Sequence, residues 1–86
     1  MHKLRLDETS EATYELPAGA EIRHVACQHG QDVTLWYEFD LADLETPVAR
    51  TFAIVGTGIE EVEDAWTFLG TVIFTSGKSV FHVYEV

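Results

Sequence analysis

The clearest strand pattern in the chain is FLGTVIFTSGKSVFHVYEV, residues 68–86. Its two halves, residues 68–75 and 80–86, are rich in β-branched and aromatic residues, a composition typical of β-strands. Between them lies Ser76-Gly77-Lys78, where glycine supplies the positive φ that a tight turn needs. The stretch therefore predicts a β-hairpin at the C-terminal end of the sequence.

The turn of this hairpin also contains Gly-Lys-Ser, the last three residues of a phosphate-binding P-loop. That motif requires another glycine five positions before Gly77, where this chain has Val72. It also requires a helix after the serine, and the residues that follow predict a strand. A second pair, Gly56 and Gly58, follows a predicted strand, but Glu61 occupies the third glycine position of a dinucleotide-binding fingerprint. Both glycine motifs are therefore interpreted as turns.

Short strands and turns recur along the rest of the chain. The predicted strands are residues 3–6, 14–16, 21–28, 33–39 and 50–55. Turns are predicted at residues 17–19 and 29–32, and the second turn makes residues 21–28 and 33–39 a second predicted hairpin. Residues 40–49 predict a polar connection. The pattern predicts an all-β or β-rich α+β fold, a single antiparallel sandwich or small barrel of six to seven short strands. At most one short helix is expected, near residues 59–67.

The length of 86 residues predicts a single domain over residues 1–86, with residues 1–13 as an N-terminal edge segment. Alternation along the strands predicts the core, which would consist of Ile22, Leu35, Tyr37, Phe52, Ile54, Leu69, Ile73, Phe81 and Val83. A small all-β core with exposed strand edges makes a homo-oligomer a further hypothesis.

Charge is the strongest feature of the composition. Fifteen Asp and Glu oppose five Lys and Arg, which gives a net charge of −10. Such a surface repels nucleic-acid phosphates and anionic membranes, so we expect neither as a direct partner. It attracts a protein with a basic surface, although acidic residues also serve solubility alone. Since no signal peptide or apolar run of membrane-spanning length is visible, we expect a cytoplasmic protein.

The acidic residues cluster, and two clusters are candidate protein-binding sites. The first consists of Asp40, Asp43 and Glu45, and the second of Glu60, Glu61, Glu63 and Asp64. Carboxylates spaced along a surface can contact a basic partner. The alternative is that both clusters are solvated loops, which is the default for charged residues.

Residues that support catalysis or metal binding lack the necessary spacing. Four histidines and Cys27 show none of the usual zinc patterns. The chain has no G-x-S-x-G elbow, and no obvious third group orients His29 beside Cys27. We therefore predict no catalytic residue, no metal site and no cofactor, and a protein that is not an enzyme.

The two most distinctive segments of the chain are R-T-F-x-I-V-G-T-G, residues 50–58, and the C-terminal F-H-V-Y-E, residues 81–85. Together with residues 15–22, 35–36 and 68–71, they resemble a family of small proteins of unknown function encoded by tailed phages, prophages and their bacterial hosts. The similarity spans roughly residues 14–86. The resemblance implies a phage or mobile-element setting and implies no catalytic residue.

Three functional hypotheses remain from the sequence. The first is a phage-derived acidic module that binds a host or phage protein with a basic surface, with inhibition of a host protein as one form of this hypothesis. The second is a protein that binds or sequesters a small molecule such as a nucleotide signal, through Arg50, Gly56, Thr57, Gly58, Lys78 and His82. The third is a virion component or structural interaction domain.

Overall fold

The structure, a computed structural model, describes residues 1–6, 11–28, 32–56, 65–74 and 79–86. Within these residues seven strands form, which confirms the β fold. They are β1 (His2–Arg5), β2 (Glu11–Pro17), β3 (Glu21–Gln28), β4 (Asp32–Glu38), β5 (Pro47–Gly56), β6 (Thr67–Ile73) and β7 (Val80–Glu85). A 3₁₀ turn, Leu41–Asp43, lies between β4 and β5. The described part of the chain contains no α-helix, and most of the predicted helix near residues 59–67 lies outside it.

The strands form two antiparallel sheets that do not close into a barrel. The first sheet has the order β1-β4-β3 and the second has the order β2-β5-β7-β6. Consecutive strands β3 and β4 pair, as do β6 and β7, so the two predicted hairpins are confirmed. Their turn residues 29–31 and 75–78 lie outside the described residues.

The two sheets pack face to face because each turns one apolar side inward. The buried cluster draws on both sheets and consists of Leu6, Leu16, Ala20, Val25, Val33, Leu35, Phe52, Val72 and Val83. Among the predicted core residues, Leu35, Phe52 and Val83 are buried. Five more are half-buried against the cluster: Ile22, Tyr37, Ile54, Leu69 and Phe81.

The prediction for Ile73 is wrong, because 60% of this residue is exposed while its neighbour Val72 is buried. The cause is an irregularity in the pairing of β6 with β7 between Phe68 and Gly70. One extra residue on β6 there reverses which side chains face inward from that point onward. If inward and outward side chains alternated strictly from Leu69 onward, Ile73 would face the core, which is the wrong side of the sheet.

Gly70 marks the place where the edges of the two sheets approach each other. A Cβ atom built on Gly70 would lie 3.3 Å from the Cβ of Val25 on β3. Strands β3 and β6 contact each other although they belong to different sheets. A glycine inside a strand often marks such a close backbone approach.

The predicted turn between β2 and β3 is confirmed, and it positions one wall of the candidate site. Gly19 has a φ of +72°, and the amide of Ala20 donates to the carbonyl of Pro17 at 3.1 Å. The left-handed φ favours glycine, as the third residue of a type II turn requires. Pro47, which was predicted to lie in an irregular connection, instead begins β5, a strand position that tolerates proline.

Candidate protein-binding surface

An acidic groove lies where the start of β3, the end of β4 and the 3₁₀ turn meet. Its volume is about 270 Å³, and its lining residues are Gly19, Glu21, Arg23, Glu38, Phe39, Asp40 and Asp43. The structure therefore brings Asp40 and Asp43, two of the predicted residues, into one site. It adds Glu21 and Glu38 from the neighbouring hairpin.

Strand pairing and local capping build this groove. Glu21 and Glu38 are direct partners in the register of β3 and β4. The chain then enters the 3₁₀ turn, where the carboxylate of Asp40 accepts a hydrogen bond from the amide of Ala42 at 3.0 Å. This is an N-cap interaction, and it fixes Asp40 at the rim. A Cβ on Gly19 would lie 3.7 Å from a carboxylate oxygen of Asp43.

The groove carries an excess of negative charge. Glu21 and Glu38 face each other, and like charges directly opposite are unfavourable in a sheet. Arg23, at the register shift of β3, forms ion pairs with both carboxylates. The lining holds four carboxylates and one guanidinium, which gives a formal charge of −3. Because Arg23 and its two partners are about half exposed or more, these ion pairs are screened by water and open to competition.

Chemically, this groove suits an organic cation. Carboxylate oxygens accept hydrogen bonds from guanidinium and ammonium groups, and an arginine can engage two oxygens at once. In the part of the chain that the structure describes, no group of three or more His, Cys, Asp or Glu side chains has the geometry to hold a metal ion. The side chains of arginine and lysine carry the charge that complements this groove.

The other predicted acidic residues are placed differently. Glu45 is exposed just before β5 and does not line the groove. Glu60, Glu61, Glu63 and Asp64 lie outside the described residues, so their role in binding stays a prediction.

Arg50, a residue of the predicted small-molecule site, has a structural set of partners. Its Nε and Nη2 atoms donate to the two carboxylate oxygens of Glu85, each at 2.7 Å, and its Nη1 donates to the carbonyl of Ala20. The hydrogen bond to Glu85 raises the pKa of Arg50, and this effect exceeds the lowering caused by burial. Since only 19% of the Arg50 side chain is exposed, this ion pair is better shielded than those of the groove.

The other residues of the predicted small-molecule site do not converge on Arg50. Gly56 ends the same strand, six residues away, which corresponds to about 20 Å of extended chain. His82 pairs with Val55, whose side chain points to the face opposite that of Arg50. Thr57, Gly58 and Lys78 lie outside the described residues. The described geometry therefore separates Arg50 from His82.

Sequence reasoning missed a cluster of aromatic rings on the outer face of β6 and β7. This aromatic strip consists of Trp66, Phe68, His82 and Tyr84. Ring centroids lie 6.1 Å apart for Trp66 and Tyr84, 5.5 Å for Phe68 and Tyr84, and 6.3 Å for Phe68 and His82. Thr71 holds the His82 ring through a 2.8 Å contact between its Oγ1 and Nδ1. Phe68 is 55% exposed, so its ring faces solvent, while the other three rings are half-buried.

Arg50 also joins the segment next to the aromatic strip to the segment next to the acidic groove. Glu85, its carboxylate partner, follows Tyr84 of the strip in β7. Ala20, its carbonyl partner, precedes Glu21 of the groove. One side chain thus ties the chain beside the strip to the chain beside the groove.

No helix in the described residues has the length and apolar character needed to cross a bilayer. A family model described as a domain of unknown function, DUF7352, matches the chain over residues 1–86. This match includes the N-terminal segment, residues 1–13. No curated protein and no solved structure matches the chain.

Proposed function

Because the chain belongs to the DUF7352 family, whose function is unknown, we propose its function from its own surfaces. The domain is a non-enzymatic module that binds a protein with a basic surface. The observation that carries this proposal is the acidic groove, where four carboxylates from two strands and a 3₁₀ turn surround one arginine.

Two electrostatic effects act in such an interaction. The net charge of −10 attracts a basic partner from a distance and raises the rate of encounter. At short range, an arginine or lysine of the partner enters the groove and competes with Arg23 for Glu21 and Glu38. Because these groups are already partly hydrated and half exposed, replacing water with a charged donor carries a modest desolvation cost.

The aromatic strip supports the same function by offering apolar contact area. Interfaces concentrate their binding energy in tryptophan, tyrosine and arginine side chains, and the strip presents Trp66 and Tyr84 beside the exposed ring of Phe68. Residues 60–64, the second predicted acidic cluster, directly precede this part of the chain. A partner that combines basic and apolar residues fits both the groove and the strip.

The setting of this function is part of the proposal. The resemblance of residues 50–58 and 81–85 to small phage-encoded proteins favours a phage or prophage origin. A phage protein of this kind acts in the cytoplasm of the host cell, where it blocks a host protein by covering its basic surface. Such inhibition needs a complementary surface and no catalytic group.

A capture experiment with matched charge variants tests the proposal. Glu21→Lys reverses one charge in the groove, and Glu15→Lys reverses an exposed charge on β2 outside it; each changes the net charge by +2, from −10 to −8. The tagged wild-type protein should retain one host protein from a bacterial lysate, which is then identified and purified. Direct binding of that purified protein should be lost in Glu21→Lys and kept in Glu15→Lys.

Two outcomes would contradict the proposal. Equal loss of binding in both variants would mean that net charge alone, and not the groove, attracts the partner. Recovery of the protein in purified virions, with no host partner, would favour a structural role instead.

A further inference from the structure

A second pocket lies on the outer face of the first sheet, and its charge is opposite to that of the acidic groove. Its volume is about 330 Å³, and its lining residues are Lys3, Arg5, Gln28, Asp32 and Thr34. Ligand pockets in proteins span roughly 300–1,000 Å³, so this cationic pocket has room for a small ligand only.

The strand register explains why two cations share this face. Lys3 and Arg5 are two residues apart on β1 and therefore point to the same side, opposite to Leu4, which packs against the core. The pairing of β1 with β4 places Lys3 beside Trp36 and Arg5 beside Thr34. Two of the five Lys and Arg residues of the chain thus line one pocket.

Polar partners from β3 and β4 complete the pocket. The ammonium of Lys3 donates to the side-chain oxygen of Gln28 at 3.5 Å, and Nε of Arg5 lies 3.2 Å from a carboxylate oxygen of Asp32. Thr34, only 2% exposed, forms the floor. The lining holds two cations and one carboxylate, which gives a formal charge of +1. The Arg5 side chain is 69% exposed, so its guanidinium is accessible to a ligand.

The negative charge of the whole protein repels an anion at long range. At short range, the cations of the pocket attract it. At physiological ionic strength the screening length is about 8 Å, so acidic groups on distant faces contribute little inside the pocket. Lys3 and Arg5 both line this pocket. An oxyanion that enters the pocket accepts charge-assisted hydrogen bonds from both.

An aromatic surface adjoins the pocket. Trp36 is the direct cross-strand neighbour of both Lys3 and His24, and the ring centroids of His24 and Trp36 lie 5.4 Å apart. An indole on the face of a sheet offers a flat surface on which a ligand ring can stack. The arrangement places a cationic pocket next to a stacking surface.

We propose that this cationic pocket binds a nucleoside monophosphate, with the phosphate held by Lys3 and Arg5 and the base stacked on Trp36. The site is separate from the acidic groove, and it uses none of the residues that the sequence suggested for a small-molecule site. A failure of the proposed protein-binding function would therefore leave this proposal unaffected, and the reverse also holds.

Titrations of the full chain followed by nuclear magnetic resonance test this proposal with AMP, inorganic phosphate and adenosine at matched millimolar concentrations. AMP and phosphate should both shift the signals of Lys3, Arg5 and Gln28 in a saturable way. AMP should also shift the indole N–H of Trp36 and bind more tightly than phosphate. The absence of saturable shifts with AMP, or adenosine binding as tightly as AMP, would overturn the proposal. AMP binding no tighter than phosphate would overturn the role of Trp36.

Single variants separate the pocket from net charge. Lys3→Gln and Arg5→Gln should each weaken AMP binding about tenfold, as expected for the loss of a hydrogen bond to a charged group. Asp32→Asn should strengthen it, because it removes the carboxylate that faces the phosphate. Arg23→Gln removes a cation of the same sheet outside the pocket, so AMP binding should change less than twofold. If net charge alone governed AMP binding, Arg23→Gln would weaken it as much as Lys3→Gln does. Equal weakening by Arg23→Gln and Lys3→Gln would overturn the pocket.

Discussion

Arg50 and Glu85 form a bidentate ion pair between neighbouring strands of the second sheet, and both N···O distances are 2.7 Å. The third hydrogen bond of Arg50, to the carbonyl of Ala20, reaches the turn that leads into the first sheet. One side chain therefore ties β5 and β7 of the second sheet to the turn that precedes Glu21 of the acidic groove.

Removal of this ion pair should destabilise the fold. Arg50→Ala leaves the carboxylate of Glu85 and the carbonyl of Ala20 without their donor, and we expect a loss of about 2 kcal/mol in the free energy of unfolding. Chemical denaturation measures this loss. The exposed ion pairs of Arg23 contribute less, so Arg23→Ala should cost no more than about 0.5–1 kcal/mol. Equal costs for the two variants would contradict a special role for Arg50.

The stabilising effect of Arg50 should not depend on pH in the ordinary range. Its pKa is raised in the folded state, so its contribution is fully present below the unfolded-state pKa and is lost only as pH rises through the folded-state value. An arginine side chain is protonated throughout the ordinary pH range even without this increase. The difference in unfolding free energy between wild type and Arg50→Ala should therefore be equal at pH values of about 7 and about 10. A fall at the higher pH would contradict this assignment.

The irregular pairing in β6 predicts unequal losses of stability for substitutions at two adjacent residues. Val72→Ala removes buried methyl groups and should destabilise the protein by about 1–3 kcal/mol. Ile73→Ala removes more apolar atoms, but from an exposed position, and should change stability by less than about 0.5 kcal/mol. Thermal or chemical denaturation of the two variants compares them directly. The reverse order would mean that β6 pairs with β7 without the extra residue.

The close approach of Gly70 to Val25 predicts a coupled pair of substitutions. Gly70→Ala places a methyl group 3.3 Å from the Cβ of Val25 and should cost about 1–2 kcal/mol. In the Val25→Ala background, with the γ-methyl groups gone, the neighbour has more room to yield, so the added cost of Gly70→Ala should be smaller. A double-mutant cycle measures this non-additivity. Strict additivity of the two unfolding free-energy changes would show that β3 and β6 are not in tight steric contact at Val25 and Gly70.

Much of the fold can be predicted from the local sequence pattern. The alternation of apolar and polar residues and the presence of turn residues both reflect structure that extends over only a few positions. The hairpins of β3 with β4 and of β6 with β7, and the turn at Gly19, are correct for that reason. The register shifts are not visible in the sequence, since an extra residue in a strand carries no distinct composition. The shift in β6 misplaces Ile73.

The candidate site shows the same limit. Asp40 and Asp43 are recognisable as a cluster because they are neighbours in the chain. Glu21 joins them only through its pairing with Glu38, and that pairing depends on the register shift between Ile22 and His24. The aromatic strip also depends on pairing across strands, so the sequence alone did not reveal it.

The role of the acidic groove as the binding site is tested most directly by the salt dependence of binding between the domain and its purified partner, measured by calorimetry for three proteins. These are the wild type, Glu21→Lys in the groove and Glu15→Lys outside it. We predict that wild-type affinity falls steeply as salt rises, that Glu15→Lys follows the wild type closely, and that Glu21→Lys binds at least tenfold more weakly at low salt. Wild-type binding that does not change with salt, or Glu21→Lys binding that equals Glu15→Lys binding, would contradict the acidic groove as the binding site.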